Sequence, residues 1–141
     1  MQLTTKARYA VTAMVDIAIL SSQCESKSPI KLAQIAERQG IALNYLEQIF
    51  AKLKKAGLVS AIKGPGGGYQ IANGANHTRI LDIIEAVEES IEMTRCEPAS
   101  GQGCKPDKAK CITHELWEGL TNQISEYLSA LTIADVMSKK L

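Results

Sequence analysis

At 141 residues the chain has room for one domain, or a small domain with an appendage. Its 45% hydrophobic and 22% charged content is that of a globular protein, and no apolar run approaches the roughly 20 residues that cross a bilayer, so a membrane span is not expected. The net charge of +1 averages two unlike halves: residues 1–73 carry nine basic and four acidic side chains, a balance of +5, and residues 74–141 carry seven and eleven, a balance of −4. A basic first half suits a polyanionic partner from which the acidic half would stay clear.

The first segment, Met1-Gln2-Leu3-Thr4-Thr5-Lys6, lacks the apolar stretch of a secretory signal, so a cytoplasmic protein is expected. Thr4 or Thr5 can cap a first helix with Tyr9, Ala13, Val15, Ile17 and Leu20 among its apolar positions. The polar stretch Ser21–Pro29 reads as a loop. A short helix is predicted from Ile30 to Arg38, with Leu32, Ile35 and Ala36 on one side and Gly40 ending it. A second helix follows at once, with Leu43, Leu46, Ile49, Phe50 and Leu53 at three- and four-residue spacing, and stops at Gly57.

Two helices joined by a tight turn containing glycine form a helix-turn-helix. Beyond Gly57 the pattern changes to a strand candidate, Leu58–Ile62, then Gly64-Pro65-Gly66-Gly67-Gly68, then Tyr69-Gln70-Ile71. This predicts a β-hairpin with a glycine tip, and the simplest assembly is a winged helix-turn-helix. The glycine run does not continue into Lys-Ser/Thr and a helix, so it is not a phosphate-cradling nucleotide loop. Its residues can adopt angles closed to others and bring the tip, Gly66 and Gly67 included, close to a sugar-phosphate backbone, with Lys63 following.

A further amphipathic helix is predicted from Arg79, carrying Ile80, Ile83, Ile84, Val87 and Ile91. Residues 93–111 then lose periodicity and hold three of the four cysteines. A stretch this long without regular structure points to function or disorder. The last long helix is predicted from about Thr113 to Leu131. Its Trp117, Leu120, Ile124, Tyr127 and Leu131 follow at spacings of 3, 4, 3 and 4, a short coiled-coil seam suited to dimerisation, although packing on its own domain would give the same stripe. A short terminal helix near Thr132 includes Ile133, Val136 and Met137.

Residues near the start of a helix in the major groove face base edges. Here Asn44 and Gln48 can bond adenine bidentately and Glu47 can accept from cytosine, while Tyr45 can reach a phosphate through its hydroxyl. Lys52, Lys54 and Lys55 suit phosphates, where charge matters and sequence does not.

The second constellation is Cys96-x7-Cys104-x6-Cys111-x2-His114. Thiolates and an imidazole suit zinc or the iron of a sulfide cluster, and the ligand set alone does not choose between them. Cys111 and His114, three apart at a helix entrance, can share one face; metal bonds would replace the core that the preceding segment lacks. Arg95, Lys105, Lys108 and Lys110 could support thiolates or an anionic cluster. Cys24 and His77 stand apart and read as an incidental thiol and a surface or capping residue. No nucleophile–base pair is visible, so an enzyme is not expected.

The segments Leu3-Thr4-Thr5-Lys6-Ala7-Arg8-Tyr9-Ala10-Val11, Tyr45-Leu46-Glu47-Gln48-Ile49-Phe50, Gly64–Tyr69, Arg95-Cys96 and Cys111–Trp117 resemble the bacterial winged-helix regulator family that contains the iron–sulfur cluster regulator IscR. The resemblance spans nearly the whole chain. It implies a homodimeric transcription factor at the bacterial nucleoid that binds near-palindromic double-stranded DNA. It also implies a 2Fe–2S cluster, supplied by cluster-assembly proteins and held at Cys96, Cys104, Cys111 and His114, with zinc the alternative cofactor. Control of cluster-assembly genes and a selectivity role for Glu47 carry over with it. Two departures stand out: the cysteine spacing is wider than the subgroup's, and Ala42 replaces a common hydroxyl residue.

The expected fold is mostly α with a small β-hairpin, a winged helix-turn-helix plus a long dimerisation helix. Residues 1–73 would bind DNA. Residues 74–141 would supply the acidic helix, the cluster-binding loop (93–114) and the dimerisation helix.

Overall fold

Helix α1, Thr5–Gln23, begins where Thr4, extended at the N-cap, accepts the Ala7 N–H on its hydroxyl. That hydroxyl satisfies one of the amides a helix start leaves without a partner. The inward face of α1 carries Ala7, Ala10, Ala13, Met14, Ile17 and Ala18, and the small side chains let neighbouring helices come close. The architecture is that of a computed structural model describing residues 3–24, 28–87, 91, 103, 105–107 and 109–141.

Helices α2 (Leu32–Gln39) and α3 (Leu43–Lys55) meet in a tight turn. Gly40 takes the left-handed conformation there, φ 66° and ψ 35°, which costs glycine nothing sterically. The Ile41 N–H then closes back on the Ala36 carbonyl, and the Ile41 side chain is buried against the core. Gly57, φ 78°, ends α3 in the same way and turns the chain into the wing.

Strands β1 (Val59–Ile62) and β2 (Gly68–Ile71) pair antiparallel, with Val59 opposite Ile71 and Ile62 opposite Gly68. Ile30 adds a one-residue third rung: its N–H donates to the Tyr69 carbonyl at 2.9 Å and its carbonyl accepts from the Tyr69 N–H at 2.8 Å. The predicted helix start at Ile30 is therefore displaced, and α2 begins two residues later. Both backbone groups of Ile30 are satisfied by the wing, which outweighs extending the helix by half a turn.

A 3-10 turn, Ala75–His77, leads into α4 (Ile80–Ala86). Helix α5 (His114–Ala130) and helix α6 (Ile133–Ser138) complete the order. Thr132 caps α6 in a reciprocal box with Asp135. Around it the chain is pinned back to the start of α4, the Ile80 N–H donating to the Leu131 carbonyl and the Ile133 N–H to the Thr78 carbonyl. Helices α4 and α6 pack on α1, so one continuous core joins Met14, Ile17, Ile35 and Phe50 to Ile83, Ile84 and Ile133. No helix among the described residues is long and apolar enough to cross a membrane.

Three apolar positions differ from the sequence reading. Leu43, placed on the apolar stripe of α3, is the first residue of that helix and is 41% exposed. Val15 and Leu20 are only partly buried, and the alanine face of α1 turns inward in their place.

Candidate nucleic-acid interface and metal centre

The interior face of α3 carries Leu46, Ile49, Phe50 and Leu53, all at most 1% exposed. Helical periodicity then places Asn44, Glu47 and Gln48 on the opposite, exposed face. Lys54 and Lys55 are exposed in the last turn, Lys52 is half-buried, and Lys63 is exposed at the foot of the wing. Amides and a carboxylate near the helix start, with lysines behind, can reach base edges and phosphates respectively.

Tyr45 has a second role that periodicity did not reveal. Its ring stands edge-on to Tyr9 of α1, centroids 5.7 Å apart at 81°, and is half-buried. Phe50 makes a similar contact, 5.0 Å at 64°, with Tyr69 of β2. Aromatic pairs in this geometry stabilise beyond the area they bury. Together they fix α3 between α1 and the wing.

The wing glycines answer two different constraints. Gly64 (φ 99°) and Gly66 (φ 82°) sit where side chains are strained, and Gly66 is exposed at the tip. Gly67 is buried: a Cβ there would lie 2.2 Å from the Ile62 carbonyl oxygen, and one on Gly68 would lie 2.5 Å from that of Ile30. These two glycines permit close backbone packing of the wing on itself and on Ile30.

Of the four candidate ligands, Cys111 and His114 are described, and Cys96 and Cys104 lie outside the described residues, as do Arg95 and Lys108. A turn joins the described pair, the His114 N–H donating to the Cys111 carbonyl at 3.0 Å as α5 begins. His114 is 5% exposed and Cys111 half-buried. Thr113, read from the sequence only as the start of the last helix, lies between them. Its hydroxyl is 3.6 Å from Cys111 Sγ and accepts the Trp117 indole N–H at 3.1 Å. The signal was available, a hydroxyl residue between two candidate ligands, but spacing alone does not say where such a side chain turns. The nearby Lys105 pairs loosely with Asp107, 3.8 Å apart and exposed. Lys110 is exposed.

Helix α5 presents a contrast with every other long helix here. Of its 17 residues, His114 alone is buried. Trp117 and Leu120 are each 38% exposed and Tyr127 56%, while Ile124 and Leu131 are partly covered. Three large apolar side chains thus stand open on one stripe.

A helix-turn-helix braced by a β-hairpin, with polar and basic side chains on the free face of its second helix, defines a winged-helix DNA-binding transcription regulator. The chain belongs to the Rrf2 family: the family model described as "Iron-dependent Transcriptional regulator" matches residues 3–139. It is 47% identical over 138 residues to the HTH-type transcriptional regulator IscR of Vibrio parahaemolyticus, covering 98% of this chain and 78% of the relative. The IscR of Pectobacterium carotovorum is 44% identical over 140 residues, 99% of this chain and 81% of the relative. Among solved structures, IscR from T. potens superposes with TM-score 0.77 at 33% identity, covering 100% of this chain and 89% of its own. CymR, the global cysteine regulator of B. subtilis, gives the same TM-score of 0.77 at 29% identity, covering 99% and 98%. The chain is an IscR-like transcription regulator and not an enzyme.

Proposed function

We propose that this regulator is a homodimer whose DNA-site preference is set by a 2Fe–2S cluster held at Cys96, Cys104, Cys111 and His114, repressing cluster-assembly or iron and redox genes. The observation that carries the reading is the Cys111–His114 turn, which brings a thiol and a buried imidazole onto one helix entrance. A sulfur and a nitrogen donor at this spacing fit a borderline-to-soft metal. The cluster, when bound, would supply a redox- and iron-sensitive crosslink between the segment before α5 and α5 itself.

The chain's own residues do the rest. Asn44, Glu47 and Gln48 read base edges in a near-palindromic operator. Lys52, Lys54, Lys55, Lys63 and the Gly66–Gly67 tip hold the sugar-phosphate backbone, and Tyr45 holds α3 against α1. Trp117, Leu120, Ile124, Tyr127 and Leu131 cover one another across the dimer. Helix α5 begins at the ligand pair and ends at the Leu131–Ile80 bond that ties it to the winged head, so ordering at its entrance can alter the spacing of two heads. Recognition helices must sit about 34 Å apart to read successive turns of one DNA face. Cytoplasmic cluster-assembly proteins are the expected cluster donors.

Anaerobic purification followed by iron and sulfide analysis tests the reading, together with DNA binding by cluster-loaded and cluster-free protein. A red-brown protein that loses iron on His114→Ala, and whose operator preference changes on loading, is expected. A colourless protein carrying zinc would overturn the cluster assignment, and identical DNA binding in both forms would overturn sensing.

A further inference from the structure

Three threonines occupy helix N-cap positions, and one of them behaves differently. Thr4 and Thr132 turn their hydroxyls onto backbone N–H groups of the helices they start, at Ala7 and Asp135. Thr113 at the start of α5 makes no such bond. Its hydroxyl faces Cys111 Sγ at 3.6 Å and the Trp117 indole at 3.1 Å instead. A helix start normally favours the capping bond. A residue that departs from a local preference its counterparts follow marks a place where another interaction prevails.

The donor–acceptor chemistry of this chain of three groups has a direction. The indole N–H can only donate, so it occupies an acceptor site on the Thr113 oxygen. The hydroxyl hydrogen and the oxygen's second lone pair both stay open to sulfur, so in the thiol form either group can donate. A sulfur bound to a metal can only accept, which fixes the sequence as indole N–H to hydroxyl to sulfur. A sulfur without a metal has its own hydrogen to offer, and the hydroxyl can turn away. Groups that hydrogen-bond to a metal ligand tune and orient it. Trp117 lies one turn along α5 from Thr113, 38% exposed, at the head of the open apolar stripe.

We infer that Thr113 is a positioning residue that couples Cys111 to the dimer face of α5 through Trp117. The inference rests on the cluster reading above and adds the path by which occupancy reaches the seam. A metal on Cys111 holds the hydroxyl toward sulfur and the indole toward the hydroxyl, which fixes the Trp117 ring against a second copy of the chain. Without it the sulfur can donate its own hydrogen, the hydroxyl is directed less firmly toward it, and the indole bond and the packing of the two α5 helices change with it.

Trp117 is the only tryptophan in the chain, so its indole N–H gives a single side-chain resonance in a nitrogen-correlated spectrum. The full-length protein is measured as wild type, Thr113→Val, Thr113→Ser, Cys111→Ala and the double variant Cys111→Ala/Thr113→Val, first without metal. Thr113→Val should move the indole resonance and Thr113→Ser restore it. Cys111→Ala should move it in wild type and leave it in place in the valine background. Zinc(II), a diamagnetic probe, is then added and counted by metal analysis, and dimer dissociation is followed by sedimentation. Loading should shift the indole and change the dimer dissociation constant by about 5-fold or more in wild type and the serine variant, the lower end of ordinary coupling. The valine variant should bind the same metal with neither response.

An indole that ignores Cys111→Ala, or a valine variant that responds to loading as wild type does, overturns the inference. Failure of wild type to bind iron or sulfide while the metal-free comparison still behaves as described removes the cluster reading and leaves only the hydrogen-bonded path. Normal cluster content with an unresponsive indole removes the path and leaves the cluster.

Discussion

The guanidinium of Arg38 closes a fork on the carboxylate of Asp16, Nη2 lying 2.9 Å from Oδ1 and Nε 3.1 Å from Oδ2. Asp16 is an inward residue of α1, its side chain 3% exposed, whereas Arg38 is 45% exposed. The pair ties α1 to the last turn of α2, and so sets the angle at which the helix-turn-helix leaves the core. The hydrogen bonds to Asp16, and then its charge, hold the Arg38 pKa above the usual guanidinium range. A raised pKa gives stabilisation that is complete below the ordinary value and lost only as pH climbs through the raised one. The grip is therefore constant across the neutral range.

Replacing Arg38 with Leu leaves a carboxylate buried without its partner, and the thermal midpoint should fall clearly. Arg38→Lys should recover only part, since an ammonium cannot make the fork. The double replacement Asp16→Leu/Arg38→Leu should be more stable than the single Arg38→Leu, because no buried charge remains. Equal melting of all three variants would show that the fork does not hold the two helices.

The wing should respond to Gly68→Ala more than to a change at its exposed tip. The added methyl meets the Ile30 carbonyl 2.5 Å away, and neither backbone can yield without breaking the Ile30–Tyr69 pair. Overpacking of this kind costs about 1–3 kcal/mol. Denaturant melts should register the loss, and amide exchange at Ile30 and Tyr69 should accelerate. Slow exchange at both positions in the variant would mean the wing accommodates the methyl.

On α3, Glu47→Ala should change the ranking of operator sequences, by about 1–3 kcal/mol at the affected base pair. Lys54→Ala and Lys55→Ala should weaken binding to every duplex alike and each lower the salt-dependence slope by about 1. Titrations on a small duplex panel at several salt concentrations separate the two behaviours. A uniform loss in the Glu47 variant would reassign that carboxylate to a general role.

Helix α5 buries His114 alone; Ile124 and Leu131 pack against the core, but Trp117, Leu120 and Tyr127 stand exposed and contribute little to the fold of a single chain. Leu120→Asp should therefore shift the sedimentation profile to monomer while far-ultraviolet dichroism keeps its helical signal. Operator affinity should fall with it, since two heads no longer bind as a unit. A dimer that persists in this variant would place the interface elsewhere.

Much of this was legible along the chain because helix and strand periods are local. Leu46, Ile49, Phe50 and Leu53 announced α3, Gly40 and Gly57 its flanking turns, and the glycine run the wing. What periodicity could not give was any contact between segments distant in sequence. Ile30 read as helix because its strand partner, Tyr69, lies across the helix-turn-helix. Asp16 went unnoticed because its meaning depends on Arg38, 22 residues away.

The sequence by itself determined which stretches coil and which turn, since each depends on side chains within a few residues of one another. It also supplied the chemistry available, three thiols and an imidazole in one half and a lysine-rich helix-turn-helix in the other. Tertiary structure alone decided that Gly68 must stay bare under Ile30, that α4 and α6 close onto α1, and that the buried Asp16 of α1 meets Arg38 of α2. Those outcomes turn on distances through space, which the linear order of residues does not encode.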